Sequence, residues 1–274
     1  MGSWAIDYSA WANPKPFGIS GMFRLRNESL FMERAILSHL PYLNEAVLVV
    51  QPSSDDTVEQ AYRLATEYDK VQVYEYPFDC DWIDTPGFYA KDPEQSGHLV
   101  HMSNWAATRC RYSWIAKIEG DVIGLSSFGR IIERIKADPL KIMYYGRVIL
   151  NLAGLDCDQF SVTVPRNGGF DEAVYNNSPL WRFHRVQKWE MIPINAGPNC
   201  CMGWSGLHMK RCKPKNIGWN NETYAPFVRP SVRSALADFN RLTSHYPGPD
   251  DPLGEDCLYE PVIAKPRLLT GVAA

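Results

Sequence analysis

The run Glu45-Ala46-Val47-Leu48-Val49-Val50 follows a single acid with five apolar residues in succession. A strand with one face in water alternates apolar and polar side chains. An unbroken run therefore reads as a strand covered on both faces, as in a parallel sheet with helices on either side. Parallel neighbours need crossover connections, which are usually helices. The flanking sequence supplies them. Residues 19–24 read as a first strand, and Asn27 or Ser29 can cap a helix presenting Leu30, Phe31, Ile36, Leu37 and Leu40 on one face. The loop Gln51-Pro52-Ser53-Ser54-Asp55-Asp56-Thr57 ends the second strand with turn-forming residues. A helix with Val58, Ala61, Tyr62 and Ala65 on one side then leads to a third strand over residues 71–76.

An irregular, proline-bearing stretch (77–93) and a helix over 98–111 deliver the chain to Trp114-Ile115-Ala116-Lys117-Ile118, which finishes on Glu119-Gly120-Asp121. Strand side chains alternate faces, so acids two residues apart point the same way and meet beyond the strand's carboxyl end. Paired carboxylates are hard ligands suited to Mn2+ or Mg2+, and a cation held by few protein groups completes its shell with substrate phosphates. A solvated turn can also read Glu-x-Asp. The apolar strand in front of this one favours the metal reading. A helix over 127–136, carrying Ile131, Ile132 and Ile135, and a strand over 141–150 continue the alternation. The expected class is α/β, a mainly parallel twisted sheet sandwiched by helices, with ligands at the carboxyl ends of its strands.

After residue 150 the pattern changes. Short β-like runs at 160–164, 181–186 and 190–194, separated by Gly, Asn and Pro, predict a hairpin-rich insertion in the C-terminal half. Ser231 can cap a later helix presenting Val232, Leu236, Phe239 and Leu242, ahead of the turn-rich segment Tyr246-Pro247-Gly248-Pro249-Asp250-Asp251-Pro252.

A chain of 274 residues can bury one sizeable core, and residues 1–274 are expected to form a single domain. A net charge of −3 argues against nucleic-acid binding, which needs a clustered positive excess. The basic group Lys210-Arg211-Cys212-Lys213-Pro214-Lys215 reads as a solvated loop, with a peripheral membrane-surface or phosphate contact as the alternative. Seven cysteines form no C-x-x-C pair, which disfavours zinc and a disulfide framework. No apolar run reaches a membrane span, and the opening Met1-Gly2-Ser3-Trp4 starts neither a signal peptide nor a myristoylation motif. The expected location is cytoplasmic, with the membrane surface as a variant. No oligomeric state is legible.

Four motifs in order now carry a resemblance. Arg26-Asn27-Glu28 follows the first strand, Ser53-Ser54-Asp55-Asp56-Thr57 the second, Ser103-Asn104 lies on the helix before the fourth, and Glu119-Gly120-Asp121 ends the fourth. This order resembles family-2 glycosyltransferases of the GT-A fold, over roughly residues 17–150. Three positions depart from the family pattern: Gln51 where an acid often contacts the nucleotide base, Ser103 where an arginine precedes Asn104, and Glu119 as the first acid of the metal pair.

The resemblance implies a metal-dependent transferase that moves a sugar from a nucleotide-diphosphate donor to a hydroxyl acceptor (a glycan, a lipid-linked compound or a small molecule), with inversion. Residues 17–150 would form the nucleotide-sugar half and 151–274 the acceptor half. Asp121 is the first choice as ligand of Mn2+ or Mg2+. Glu119 serves as ligand or as partner of the ribose or of a metal-bound water. His208 is a third ligand or a core histidine. Arg24 and Arg26 approach the diphosphate or form surface ion pairs, and Asn27, Glu28, Gln51, Ser53, Asp55 and Asn104 complete the nucleotide-sugar set. The general base is Asp256 of the Glu255-Asp256 pair, with Asp171 as rival. Trp181, Phe183, Trp189, Trp204 and Trp219 offer rings for stacking on an acceptor or for the core. Two other readings share the fold: a carbohydrate-binding or scaffold protein without chemistry, and a sugar nucleotidyltransferase. The latter commonly begins with a glycine-rich loop that this chain lacks.

Overall fold

The computed structural model describes residues 4–124, 126–139, 144–153, 161–163, 172–192 and 199–211. After a short helix α1 (Tyr8–Trp11), the chain runs β1 (Ile19–Leu25), α2 (Met32–His39), β2 (Glu45–Val50), α3 (Thr57–Glu67), β3 (Val71–Glu75), α4 (Pro86–Ala90), α5 (Leu99–Arg109) and β4 (Trp114–Glu119). It continues through β5 (Val122–Gly124), α6 (Ser126–Ala137), β6 (Tyr144–Ala153), β7 (Ser161–Thr163), β8 (Glu172–Asn176), β9 (His184–Val186), β10 (Trp189–Met191) and β11 (Asn199–Arg211). The main sheet has the order β3-β2-β1-β4-β8-β6-β11-β5, with β7 beside β6. Pairings among β3, β2, β1 and β4 are all parallel, as is β6 with β11. β8 runs antiparallel between β4 and β6.

The apolar run of β2 is buried along its whole length, and its alternation divides the core in two. Ala46, Leu48 and Val50 join Phe23, Leu25, Trp114, Ala116 and Ile118 under α2, α3 and α6. Val47 and Val49 join Met22, Ile115 and Tyr175 under α5, with Trp105, Trp181 and Phe183. Each fully buried aliphatic or aromatic side chain contributes about 1.5–3 kcal/mol, so a strand used on both faces anchors both layers at once. The class is the expected one, a mainly parallel sheet flanked by helices.

The differences from expectation are local. α2 begins at Met32, later than a cap at Asn27 or Ser29 requires, and its N-cap position, Phe31, makes no side-chain cap. The cause is tertiary: Asn27 holds a left-handed φ of 54° and the Ser29 N–H is taken by Asp55. In α3 the buried face is Thr57, Ala61 and Leu64, while the exposed Tyr62 hydroxyl donates to Glu75. The irregular stretch contains α4, started by Pro86 and capped by Thr85. Residues 179–181 form a 3-10 turn ahead of the shorter β9. β5 and β8, three and five residues long, are not expected from the sequence. The expected hairpin character is present in the β9–β10 pair, which turns at Gln187 with φ 53°. Cys80 and Cys110 are buried free thiols. Among the described residues, no helix is long and apolar enough to cross a membrane. The helix expected after Ser231 lies outside them.

Candidate metal centre

β4 ends on Glu119, Gly120 turns the chain, and Asp121 stands directly before β5. β11 then comes back antiparallel to β5, pairing His208 with Val122. This pairing carries a histidine from the second half of the chain onto the two acids of the first. His208 Nε2 lies 3.3 Å from Asp121 Oδ1 and 3.5 Å from Glu119 Oε2. One donor atom from each of the three residues falls within a 4.8 Å group. Asp121 is 3% exposed and His208 6%, whereas the Glu119 side chain keeps 32% of its surface.

The donor set fits a divalent cation. Adjacent ligands of an octahedral ion with bonds of about 2.1 Å stand about 3 Å apart, close to the 3.3 and 3.5 Å that separate His208 from the two carboxylates. Two carboxylate oxygens and an imidazole nitrogen are a hard set with one borderline member, which manganese accepts more readily than magnesium, an ion that prefers oxygen throughout.

The loops after β1 and β2 reach the same edge and are laced together. Asn27 Oδ1 accepts from the Ser54 N–H at 2.8 Å, and the Asn27 N–H donates to Ser53 Oγ at 3.2 Å. The Glu28 N–H donates to Thr57 Oγ1 at 2.7 Å, and Asp55 accepts from the Ser29 and Thr57 N–H groups, each at 3.1 Å, and from the Thr57 hydroxyl. Burial works against ionisation of Asp55, but the bonds from Thr57 and Ser29 outweigh it and hold the carboxyl below its usual range. These residues build one rigid double loop beside the acids.

Arg24, the parallel-register neighbour of Glu119, has a nearly buried guanidinium that pairs with Glu190 of β10 and bonds the Ser103 hydroxyl. The Ser103 hydroxyl also donates to the other Glu190 oxygen at 2.6 Å. Burial tends to lower the Arg24 pKa, and the charges of Glu190 and Glu119 more than reverse this. Arg26 pairs with Asp79 at 2.6 Å, donates to the Cys80 carbonyl and lies over the Trp82 ring. Two of the expected nucleotide-sugar residues have their amides turned to the backbone. Gln51 donates to the Phe78 carbonyl at 2.9 Å. Asn104, fully buried, donates to the Phe183 carbonyl at 3.0 Å and accepts from the Phe183 N–H at 2.7 Å, clamping the segment that leads into the hairpin.

Glu255, Asp256 and Asp171 lie outside the described residues, so the expected base has no geometry here. Of the rings set aside for an acceptor, Trp181 and Phe183 are core, Trp189 is 43% exposed, and Trp219 and the Trp204 side chain lie outside what is described. Sequence reasoning missed Lys117 and Glu190. Lys117 was readable from its place two residues before Glu119 on one strand face, whereas Glu190 reaches the site only through the tertiary placement of the hairpin.

No family model and no curated protein matches the chain. Solved structures do. Glucosyl-3-phosphoglycerate synthase from Mycobacterium tuberculosis, in complex with Mn2+, UDP-glucose and phosphoglyceric acid, is 14% identical with a TM-score of 0.45, over 82% of this chain and 89% of that one. TarS 1–349 from S. aureus is 11% identical with a TM-score of 0.38, over 68% of this chain and 61% of that one. A mycobacterial protein is 11% identical with a TM-score of 0.45, over 82% and 87%.

Proposed function

We propose that this chain is a metal-dependent glycosyltransferase that takes a sugar from a nucleotide-diphosphate donor to a hydroxyl acceptor, with residues 17–150 holding the donor and 151–274 the acceptor. The observation that carries the reading is the convergence of Glu119, Asp121 and His208 within 4.8 Å at the carboxyl ends of parallel strands. Open α/β sheets bind ligands at that edge. The double loop after β1 and β2 lies against the same turn, and Arg24 adds a positive charge beside it.

Asp121 and His208, nearly buried, hold the cation, and Glu119 ligates from the more open side. Mn2+ suits this set better than Mg2+. A bound ion there supplies stabilisation for negative charge on the departing nucleoside diphosphate. Inversion at the sugar carbon by direct displacement needs a base for the acceptor hydroxyl's proton, and Glu255-Asp256 and Asp171 are the candidates.

The test is a screen of nucleotide sugars for Mn2+-dependent donor hydrolysis on the wild type, Asp121→Ala and His208→Gln. Hydrolysis is expected only with metal, abolished by Asp121→Ala and reduced about 10- to 100-fold by His208→Gln, with circular dichroism unchanged. Equal turnover in wild type and Asp121→Ala would remove the cluster from the chemistry. Sugar binding without nucleotide would favour a carbohydrate-binding module.

A further inference from the structure

Lys117 and Glu119 leave the same face of β4, two residues apart. Lys117 Nζ is 3.6 Å from Glu119 Oε1, while Glu119 Oε2 is 3.5 Å from His208 Nε2. The two oxygens of one carboxylate thus address different partners. One meets an ammonium whose side chain is only 12% exposed, and the other meets the donor cluster shared with Asp121. Lys117 sits within the sheet, opposite Met22 of β1 in register, and the neighbouring Ile115 on the same strand face is core. A cation so enclosed persists where it is paired. Arg24 flanks the same carboxylate from β1. Glu119 is therefore an acid that faces His208 through one oxygen and has the Lys117 ammonium beside the other, with Arg24 alongside.

We propose that Lys117 is a positioning residue for the cation site: it claims one oxygen of Glu119, leaves that carboxylate to ligate through the other oxygen, and weakens the site's hold on a divalent cation by keeping a positive charge beside it. The inference rests on the metal reading of Glu119, Asp121 and His208. Loss of the ammonium removes a repulsion and frees the second oxygen for chelation. Both effects act in the same direction and raise cation affinity.

The experiment is a titration of Mn2+ into the full chain, with free Mn2+ followed by electron paramagnetic resonance, for wild type, Lys117→Met, Lys117→Gln, Lys117→Arg and Asp121→Asn. Lys117→Met is expected to bind Mn2+ about threefold to tenfold more tightly than wild type, the order expected for a unit charge near a dication in a partly wet site. Raised salt should shrink the gain. Lys117→Arg, which keeps the charge, should restore wild-type affinity. Lys117→Gln provides the same comparison if the methionine variant does not fold. Affinity that is unchanged or lower in the neutral variants, with Asp121→Asn still abolishing binding, overturns the inference and leaves the metal reading intact. Absence of saturable binding in wild type, or binding indifferent to Asp121→Asn, overturns the metal reading and the inference with it.

Discussion

Gly120 packs its backbone directly against the side chain of Glu28: a β-carbon at position 120 would stand 2.9 Å from Glu28 Cγ and 2.7 Å from Leu25 Cδ2. Leu25 is core and the Glu28 backbone is held by its N–H bond to Thr57, so an added β-carbon has to displace a packed leucine methyl and the Glu28 side chain. Only glycine lets the turn between Glu119 and Asp121 lie this close to the loop after β1. Gly120→Ala should cost about 1–3 kcal/mol by overpacking. By moving the two acids it should also lower Mn2+ affinity about 10- to 100-fold. Urea unfolding and metal titration measure the two effects, and unchanged affinity in a destabilised variant would separate this packing from the site.

Asp55 ties the two loops through Ser29 and Thr57, so Asp55→Ala should remove about 1–3 kcal/mol of stability at neutral pH by leaving those donors without their acceptor. The pH dependence has a definite sign. Its folded-state pKa is depressed, so the unfolded chain binds the proton more readily. The Asp55 contribution is therefore complete above the ordinary carboxyl value of about 4 and is lost as pH falls through the lower folded value. Stability curves of wild type and Asp55→Ala should converge in acid; a constant gap would reject the mechanism.

The sequence foretold the fold where one local pattern settles the matter. The unbroken apolar stretch of β2 demanded cover on both faces, and Glu119 and Asp121, two apart at a strand end, had to point one way. It failed where distant parts of the chain decide. α2 starts late because Asp55, far along the chain, captures the Ser29 N–H that a helix cap would have used. Asn104 carries the amide expected of a ligand contact, yet both its ends are spent on Phe183, because the hairpin segment folds back over α5. His208 was legible only as a histidine near the end of a strand-like run. Its approach to the acids depends on β11 pairing with β5, a contact between distant segments that no local pattern announces.

Glu190 is the anchor of the β9–β10 hairpin, and its partner Arg24 lies deep beside the site. Glu190→Ala should cost about 3–5 kcal/mol, because it strands a buried guanidinium. The double substitution of Arg24 and Glu190 to Met should recover much of that loss, since apolar residues of similar volume need no counterion. A double-mutant cycle in urea reads the coupling, and limited proteolysis at the Gln187-Lys188 turn reports whether the hairpin loosens. A Glu190→Ala cost below about 1 kcal/mol would reduce the pair to a surface-like contact.

Acid should destabilise the protein through two buried histidines. His98 Nδ1 accepts from the Val100 N–H at 3.0 Å and so caps α5, which puts its proton on Nε2, donating to the Phe88 carbonyl at 3.1 Å. His101 Nδ1 accepts from Tyr76, whose hydroxyl oxygen receives the Gly97 N–H at 3.0 Å and whose single proton is left for the imidazole. Burial pushes both histidines below their ordinary value; protonation of His98 would set a second hydrogen against the Val100 N–H, and protonation of His101 would force the Tyr76 hydroxyl to turn its own proton away. With folded pKa values below the unfolded value of about 6.5, their contribution is complete above that pH and falls away as the solution is acidified toward the folded values. The thermal midpoint should therefore drop between neutral pH and about pH 5, a range in which ordinary carboxylates have barely begun to titrate. In His98→Asn the amide oxygen can keep the helix cap without titrating, so the same acidification should produce a shallower fall. Equal slopes for the two proteins would show that His98 takes no part in the acid response.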